Sequence, residues 1–284
     1  MRTIDLHVHS NYSDGTCSPA ELIQTASTCG LSAMALTDHD TVEGIPALLE
    51  AAKETDAALE IVPGTELSVE FRERDIHIVG LFIDYTHQGF HEMSEEMIAR
   101  REARNAEMAE RFRDDGIPIA IEDLKAGNAD TVVTRAHFAR RLIELGIVKN
   151  SAEAFKRYLN PQSPYYVPRK YITREQGIRM ILEAGGVPIL AHPLLYHLNE
   201  QEIRSLLSEL KQYGLLGLEV KYSTYSKQDE AFAQKLAREF ELLPSGGSDF
   251  HGSNKPAISL GTGMGNLAVP EEYLEAIRAA ASHI

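Results

Sequence analysis

The segment Asp5-Leu6-His7-Val8-His9-Ser10 sets two imidazoles two residues apart. On a strand, the two-residue period sends Asp5, His7 and His9 to one face and Leu6 and Val8 to the other, so the rings converge. An isolated pair of this kind is more often an ordinary hydrogen-bonded pair than a metal site. Here it has company. Ser13-Asp14-Gly15 follows at once, and Thr37-Asp38-His39-Asp40 ends the next apolar run. Pro63-Gly64-Thr65-Glu66 follows a third run, and His77 lies in a fourth with Asp75 and Val79 on its face. Leu190-Ala191-His192-Pro193 and Gly247-Ser248-Asp249-Phe250-His251 complete the series. The nine candidate donors are His7, His9, Asp14, His39, Glu66, His77, His192, Asp249 and His251. They exceed the need of one ion and suit two or three, and their nitrogen and oxygen mixture favours zinc, manganese or iron over calcium. Such a cluster makes hydroxide at neutral pH and stabilises attacking and leaving oxygens, which is hydrolytic chemistry. Asp5 and Asp38 are expected to orient the imidazoles from behind.

Donors this far apart in sequence need a scaffold that returns strand ends to one place. Short apolar runs alternate with helical patterns, the mark of repeated βα units around a parallel sheet or barrel. Strands are expected over Thr3–Val8, Ala33–Leu36, Glu60–Val62, Ile76–Ile83, Val187–Leu190, Gly217–Val220 and Leu242–Pro244. Barrel enzymes place their sites at the ends of such strands. Helices are expected over Pro19–Cys29, capped by Ser18, and over Ile203–Tyr213, with Gly30, Gly116, Gly146 and Gly214 at helix stops. From about Met93 to Tyr171 the alternation gives way to successive helical patterns (Ser94–Asp115, Arg135–Leu145, Ser151–Leu159) and a Pro-rich stretch, Asn160–Pro168. The division expected is a barrel of residues 1–98 and 172–284, interrupted by a helical insertion, 99–171, that contributes to substrate binding.

Charge supports that division. The 284 residues carry 28 Lys and Arg against 42 Asp and Glu, a net of −14, which disfavours long nucleic acids because those are held by phosphate neutralisation. Residues 99–174 nevertheless hold 15 of the bases and only 10 acids. Two cysteines, Cys17 and Cys29, exclude a disulfide framework and a thiolate cluster, and both are expected to pack as small apolar groups. With no apolar leader and no membrane-length apolar run, the chain reads as a soluble protein of a reducing compartment, the cytoplasm, with no membrane partner.

The donor motifs, with Ser13-Asp14-Gly15 and Ala191-His192-Pro193 among them, resemble those of the PHP (polymerase and histidinol phosphatase) superfamily over nearly the whole chain. That resemblance implies a distorted seven-stranded (β/α) barrel carrying a trinuclear centre, with manganese the first expectation and zinc or iron the alternatives. It further implies one ion on His7, His9, Glu66 and Asp249, a second sharing Glu66 with His77 and His192, and a third on Asp14, His39 and His251. Some relatives have a histidine where Asp14 stands, so the third site is more oxygen-rich here.

Within the superfamily, the insertion resembles the branch that dephosphorylates nucleoside 3′,5′-bisphosphates and, in some members, trims short RNA from a 5′-phosphate end. The carrying stretches are Arg100-Arg101-Glu102-Ala103-Arg104-Asn105, Thr134-Arg135-Ala136-His137-Phe138, Ala154-Phe155 with Tyr158-Leu159, and Tyr165-Tyr166-Val167-Pro168. The resemblance implies loss of the 3′-phosphate by attack of a metal-bridging hydroxide, leaving the 5′-monophosphate. Its alternatives are a 5′ to 3′ exoribonuclease on short RNA or another phosphomonoesterase such as a histidinol phosphatase. From other classes come a metal-dependent amidohydrolase and a non-catalytic docking barrel, the last disfavoured by a complete donor set.

A substrate with two phosphates needs a second anion site, for which Arg135 leads, followed by Arg104, Asn105 and Lys170. Arg100, Arg101 and Arg104 would otherwise form a solvated helix face with Glu102 and Glu107. Glu219 and Lys221 alternate on one expected strand, so both should reach the barrel mouth, where Lys221 would hold a phosphate unless it pairs with an acid. His197, close after His192, is the candidate proton donor. Tyr158, Tyr165, Tyr166 and Tyr171 serve either as stacking platforms for a base or as the aromatic core of the insertion.

Overall fold

Most helices start where the sequence supplies a side-chain cap. Ser18 before Pro19, Thr134, Thr173, Asn199 and Ser226 all accept backbone N–H groups of a first helical turn, and Gly30 and Gly214 close two helices in the left-handed region. In the computed structural model, which describes residues 3–55, 59–72, 74–125 and 128–284, these signals set the order of elements. The first part runs β1 (Thr3–Val8), α1 (Pro19–Cys29), β2 (Leu31–Leu36), α2 (Gly44–Lys53), β3 (Glu60–Phe71) and β4 (Arg74–Leu81). Helices α3 (Gln88–Asp114), α4 (Ile121–Lys125), α5 (Arg135–Glu144), α6 (Ser151–Arg157) and α7 (Arg174–Glu183) follow. The chain then returns through β5 (Val187–Leu190), α8 (Glu200–Tyr213), β6 (Gly217–Tyr222), α9 (Lys227–Glu239), β7 (Leu243–Gly247), β8 (Val269–Pro270) and α10 (Glu271–Ala281).

The sheet order is β7-β6-β5-β4-β3-β2-β1-β8. Strands β1 to β3 are parallel, as are β5 to β7, while β4 runs antiparallel to both its neighbours. The two edges meet beyond β7, where Asp249 N donates to His7 O (2.8 Å) and His9 N to Phe250 O (3.0 Å). This is the distorted barrel expected, the reversed β4 being the distortion, and the two-residue β8 is an eighth strand on β1 that short-range pattern could not announce. Leu6, Val62, Val79 and Ile189 belong to one apolar cluster of the barrel, while Val8, Leu36, Ile78 and Leu218 belong to another with the surrounding helices.

Strand β3 is longer than expected. It pairs with β2 through Pro63 and with β4 from Gly64 onward, so the proline sits at the change of partner rather than at a strand end. A Cβ at Gly64 would come within 2.8 Å of Gly80 O and 2.9 Å of Leu36 O. Glu66 therefore lies inside β3, opposite Val79, and not in a following loop.

Helix α3 is unbroken across the expected boundary between residues 98 and 99. Its Phe90 and Met97 pack with the barrel, and its Met108, Ala109 and Phe112 pack with Phe138, Leu142, Val148 and Leu159 in a separate core. Tyr165 stacks on Phe112 at 4.2 Å, and Tyr158 joins them, so both tyrosines are insertion core. Full burial of a ring such as Phe112 contributes about 2 kcal/mol. No helix among the described residues is long and apolar enough to cross a membrane.

Candidate metal centre and phosphate cavity

Strand β1 delivers His7 and His9 to the barrel interior with at most 1% exposure, and Glu66 reaches them from β3. Glu66 Oε1 lies 3.3 Å from His7 Nε2, 2.9 Å from His77 Nδ1 and 3.0 Å from His192 Nε2, while Oε2 lies 3.2 Å from His9 Nε2 and 3.1 Å from His39 Nδ1. One carboxylate thus faces five imidazoles. Asp249 Oδ1 lies 3.4 Å from His9 Nε2 and 3.7 Å from His7 Nε2. Asp14 Oδ1 lies 3.1 Å from His251 Nε2, 3.8 Å from His39 Nε2 and 3.9 Å from His9 Nδ1.

All nine sequence candidates therefore meet in one cluster. Its donor atoms form three overlapping groups: His7, His9 and Glu66; His39, Glu66 and His77; and His9, Asp14, His39 and His251. The fit to divalent cations rests on satisfaction of buried polar atoms. His7 Nε2, His9 Nε2, His39 Nδ1, His77 Nδ1 and Asp14 Oδ1 are buried without a hydrogen bond, and buried polar atoms are rarely left so. Burial would raise the pKa of Glu66, yet the charges of His77, His39 and His7 hold it well below the carboxylate range. Burial would lower His9, yet Asp249 and Glu66 push it up to about 9. The pocket is built to attract positive charge.

Orientation comes from behind the rings. Glu219 Oε1 meets His7 Nδ1 at 3.1 Å while its Oε2 accepts His192 N, Ser13 Oγ meets His9 Nδ1 at 3.4 Å, and Asp249 O faces His251 Nδ1 at 2.9 Å. Asp5 does a different job from the one expected: it accepts Ser248 N and Gly261 N (both 2.8 Å) and fixes ligand-bearing loops. Asp38 accepts the hydroxyls of Ser10 and Ser13 (both 2.5 Å) and backs the His9 ring through Ser13. His192 (φ 26°), Asp249 (φ 55°) and Asp40 (φ 56°) occupy the left-handed region without being glycine, a cost that tightly held functional residues commonly carry.

Beside the cluster opens a cavity of about 250 Å³ lined by Asp14, His39, His77 and His251 on one side and by Arg101, Arg104, Arg135 and Arg169 on the other. Asp40, fully buried, accepts both Arg101 and Arg169 on one oxygen, and its other oxygen accepts Ser68 N at 2.8 Å. Arg135 lies 3.6 Å from Asp75, which also faces His77 Nε2 at 3.5 Å. Arg104 bonds to neutral groups, Val167 O (3.0 Å) and Asn105 Oδ1 (3.0 Å), and burial pulls its pKa down to about 10. Asp40→Asn would strand two buried guanidiniums, and removing one partner of a buried ion pair costs about 3 to 5 kcal/mol. The urea midpoint of this variant should fall accordingly with an unchanged slope. A loss below about 1 kcal/mol would mean that other groups neutralise the pair.

A family model described as PHP domain matches residues 5–223. The chain belongs to the PHP domain family. It is 40% identical over 247 residues to a 5′-3′ exoribonuclease from Haemophilus influenzae, spanning 87% of this chain and 89% of that one. It is 31% identical over 262 residues to a 3′,5′-nucleoside bisphosphate phosphatase from Chromobacterium violaceum, spanning 92% and 91%. A solved structure from Bifidobacterium adolescentis, provisionally named a metal-dependent phosphoesterase, superposes with a TM-score of 0.86 at 28% identity, covering 98% of this chain and 96% of that one. A PHP barrel with this donor cluster is a metal-dependent phosphoesterase.

Several sequence expectations for substrate contacts need correction. Lys221 does not reach the PHP cluster. The pairing of β6 with β7 shifts register between Glu219 and Lys221, which breaks the alternation, and Lys221 Nζ pairs with Glu230 on α9 at 3.2 Å. The residue brought to the cluster instead is Tyr222, whose hydroxyl donates to Asp249 Oδ2 at 2.5 Å. The ammonium at the cluster belongs to Lys255, 2.6 Å from Asp249 Oδ2 and lining the cavity. Lys170 is exposed and its neighbour Arg169 lines the cavity, because an extended segment turns successive side chains to opposite sides. Asn105 donates to Val133 O (2.8 Å) and accepts Arg104, so it supports an arginine without lining the cavity. His197 is exposed and lines a neighbouring recess, not the metal-side cavity, which removes the ground for its role as proton donor.

Proposed function

We propose that this phosphoesterase removes the 3′-phosphate from nucleoside 3′,5′-bisphosphates and grips the unreacted 5′-phosphate with arginines of the insertion. The observation that carries this reading is charge. Beside the donor cluster, Arg101, Arg104, Arg135 and Arg169 stand against two carboxylates, Asp40 and Asp75, leaving a surplus equal to the charge of one phosphate monoester dianion. An internal phosphodiester carries only half that charge, so a terminal phosphate suits the cavity better.

His7, His9, Glu66 and Asp249, then His77 and His192, then Asp14, His39 and His251 would hold the divalent ions, of which manganese is our first choice. When bound, the ions supply a water activated for attack at neutral pH and neutralise charge building on the phosphoryl oxygens. The chain's own residues do the rest. Arg104 and Arg135 bind the distal phosphate and so fix the 3′-ester over the cluster, converting remote binding energy into alignment. Lys255, held on Asp249 in the cavity wall, offers an ammonium to the reacting phosphoryl group. The P–O3′ bond breaks, the 3′-oxygen leaves as a hydroxyl after taking a proton, and inorganic phosphate and the 5′-monophosphate depart.

A second reading, 5′ to 3′ trimming of short RNA, breaks the same P–O3′ bond with a nucleoside still on the phosphate. It is supported by the Haemophilus relative's name and by the recess of about 310 Å³ next door, which shares Asp75, Arg135 and Tyr171 with the cavity and adds Tyr166 and Leu195. Tyr166 and Tyr171 are backed by Arg104 and Arg169 at 5.7 and 4.9 Å, a setting in which a base can stack. Phosphate release from adenosine 3′,5′-bisphosphate, adenosine 5′-monophosphate and histidinol phosphate, with and without manganese, tests the reading. Manganese-dependent turnover of the bisphosphate alone is expected, and equal rates on all three would overturn it. AMP release from a 5′-phosphorylated dinucleotide would place the second activity beside the first.

A further inference from the structure

The insertion is bonded directly to the loop that carries Asp14. Thr131 Oγ1 and Asn128 Nδ2 donate to Asn11 O (2.7 and 3.1 Å), and Val132 N donates to Tyr12 O at 2.8 Å. The last link of this strap is Thr134, whose hydroxyl lies 2.9 Å from Asp14 Oδ2.

The direction of that bond follows from its surroundings. Thr134 caps α5, so its oxygen accepts Ala136 N at 3.1 Å. His137 Nδ1, the nearby alternative acceptor, already takes the Thr134 backbone N–H at 3.0 Å, and burial keeps that ring neutral by drawing its pKa to about 4. The hydroxyl proton therefore goes to Asp14. Asp14 divides its carboxylate accordingly, Oδ2 to Thr134 and the buried, unsatisfied Oδ1 toward His251 and His39. The residue after Thr134 is Arg135, at the first turn of α5 and in the wall of the phosphate cavity.

We infer that Thr134 is a positioning residue that couples the anion site of the insertion to the metal position formed by Asp14, His39 and His251: a 5′-phosphate seated on Arg135 tightens that position, and a cation seated there tightens phosphate binding. The inference rests on the reading of the arginines as a 5′-phosphate site. Linkage requires the two effects to be equal, and couplings of this kind span roughly five- to 150-fold.

The test uses the full chain freed of metal by chelation and titrated with Mn²⁺ by calorimetry, with and without adenosine 5′-monophosphate. The manganese equivalent at Asp14, His39 and His251, the weakest because that position lacks the Glu66 carboxylate assigned to the other two, should bind about tenfold more tightly with the nucleotide present, adenosine should have no effect, and manganese should strengthen nucleotide binding by the same factor. In Thr134→Val, both shifts should vanish while the tighter equivalents are unchanged, and Thr134→Ser, which keeps the hydroxyl, should restore them. Nucleotide that binds without moving the wild-type manganese isotherm overturns the coupling. Tightening that survives in Thr134→Val also overturns it, since the phosphate would then be touching the metal directly. Failure of the nucleotide to bind at all would fell the 5′-phosphate reading and the coupling with it.

Discussion

Glu66→Gln should lower kcat by at least about 10²-fold, the loss that follows removal of a single charge-stabilising group from a preorganised site, and should lower bound metal in the purified protein. Glu66 is singled out because its two oxygens face His7, His9, His39, His77 and His192, so the substitution removes the charge common to most of the cluster. The neutral amide keeps the volume, which separates loss of metal from loss of packing. Elemental analysis beside a steady-state assay reads both effects. Full metal content with a normal rate would remove Glu66 from the centre.

The second large effect belongs to the arginines. Arg135→Ala should reduce kcat/KM on adenosine 3′,5′-bisphosphate by roughly ten- to a hundredfold, the equivalent of about 1.5 to 3 kcal/mol for one charged hydrogen bond. Turnover of an aryl phosphate, which has no second phosphate, should stay within about twofold. Arg104→Met should behave alike on the bisphosphate, because its buried guanidinium is held by neutral partners and has its charge to spare. Equal losses on both substrates would place Arg135 at the reacting phosphate or in the scaffold.

Most of the candidate donors lie on a strand or just past its end, where a two-residue period or a short polar motif survives in the sequence, and Asp14, in the loop after β1, is marked by its Ser-Asp-Gly motif. His7, in β1, and His9, just past its end, both reach the cluster. What failed was side-chain direction at irregular backbone. One register shift turned Lys221 outward, and one residue of phase in an extended segment exchanged Lys170 for Arg169. Lys255 follows the last ligand in a loop, where no period operates. Asp40 is visible beside His39, but its partners Arg101 and Arg169 stand 61 and 129 residues away, a relation no local pattern encodes. The helical run between β4 and β5 shows in the sequence as a break in alternation with basic charge, and α3 packs one half against the barrel and the other in a separate helical core.

The most direct test of a site that reads two phosphates compares adenosine 3′,5′-bisphosphate with adenosine 3′-monophosphate on the manganese-loaded enzyme. The reacting ester is the same in both, and the 5′-phosphate is the sole difference. With the arginines gripping that group, kcat/KM should favour the bisphosphate by at least about 10²-fold, as two charged contacts require. Equal values for the two substrates would contradict it, leaving a metal phosphoesterase whose arginines serve some other purpose.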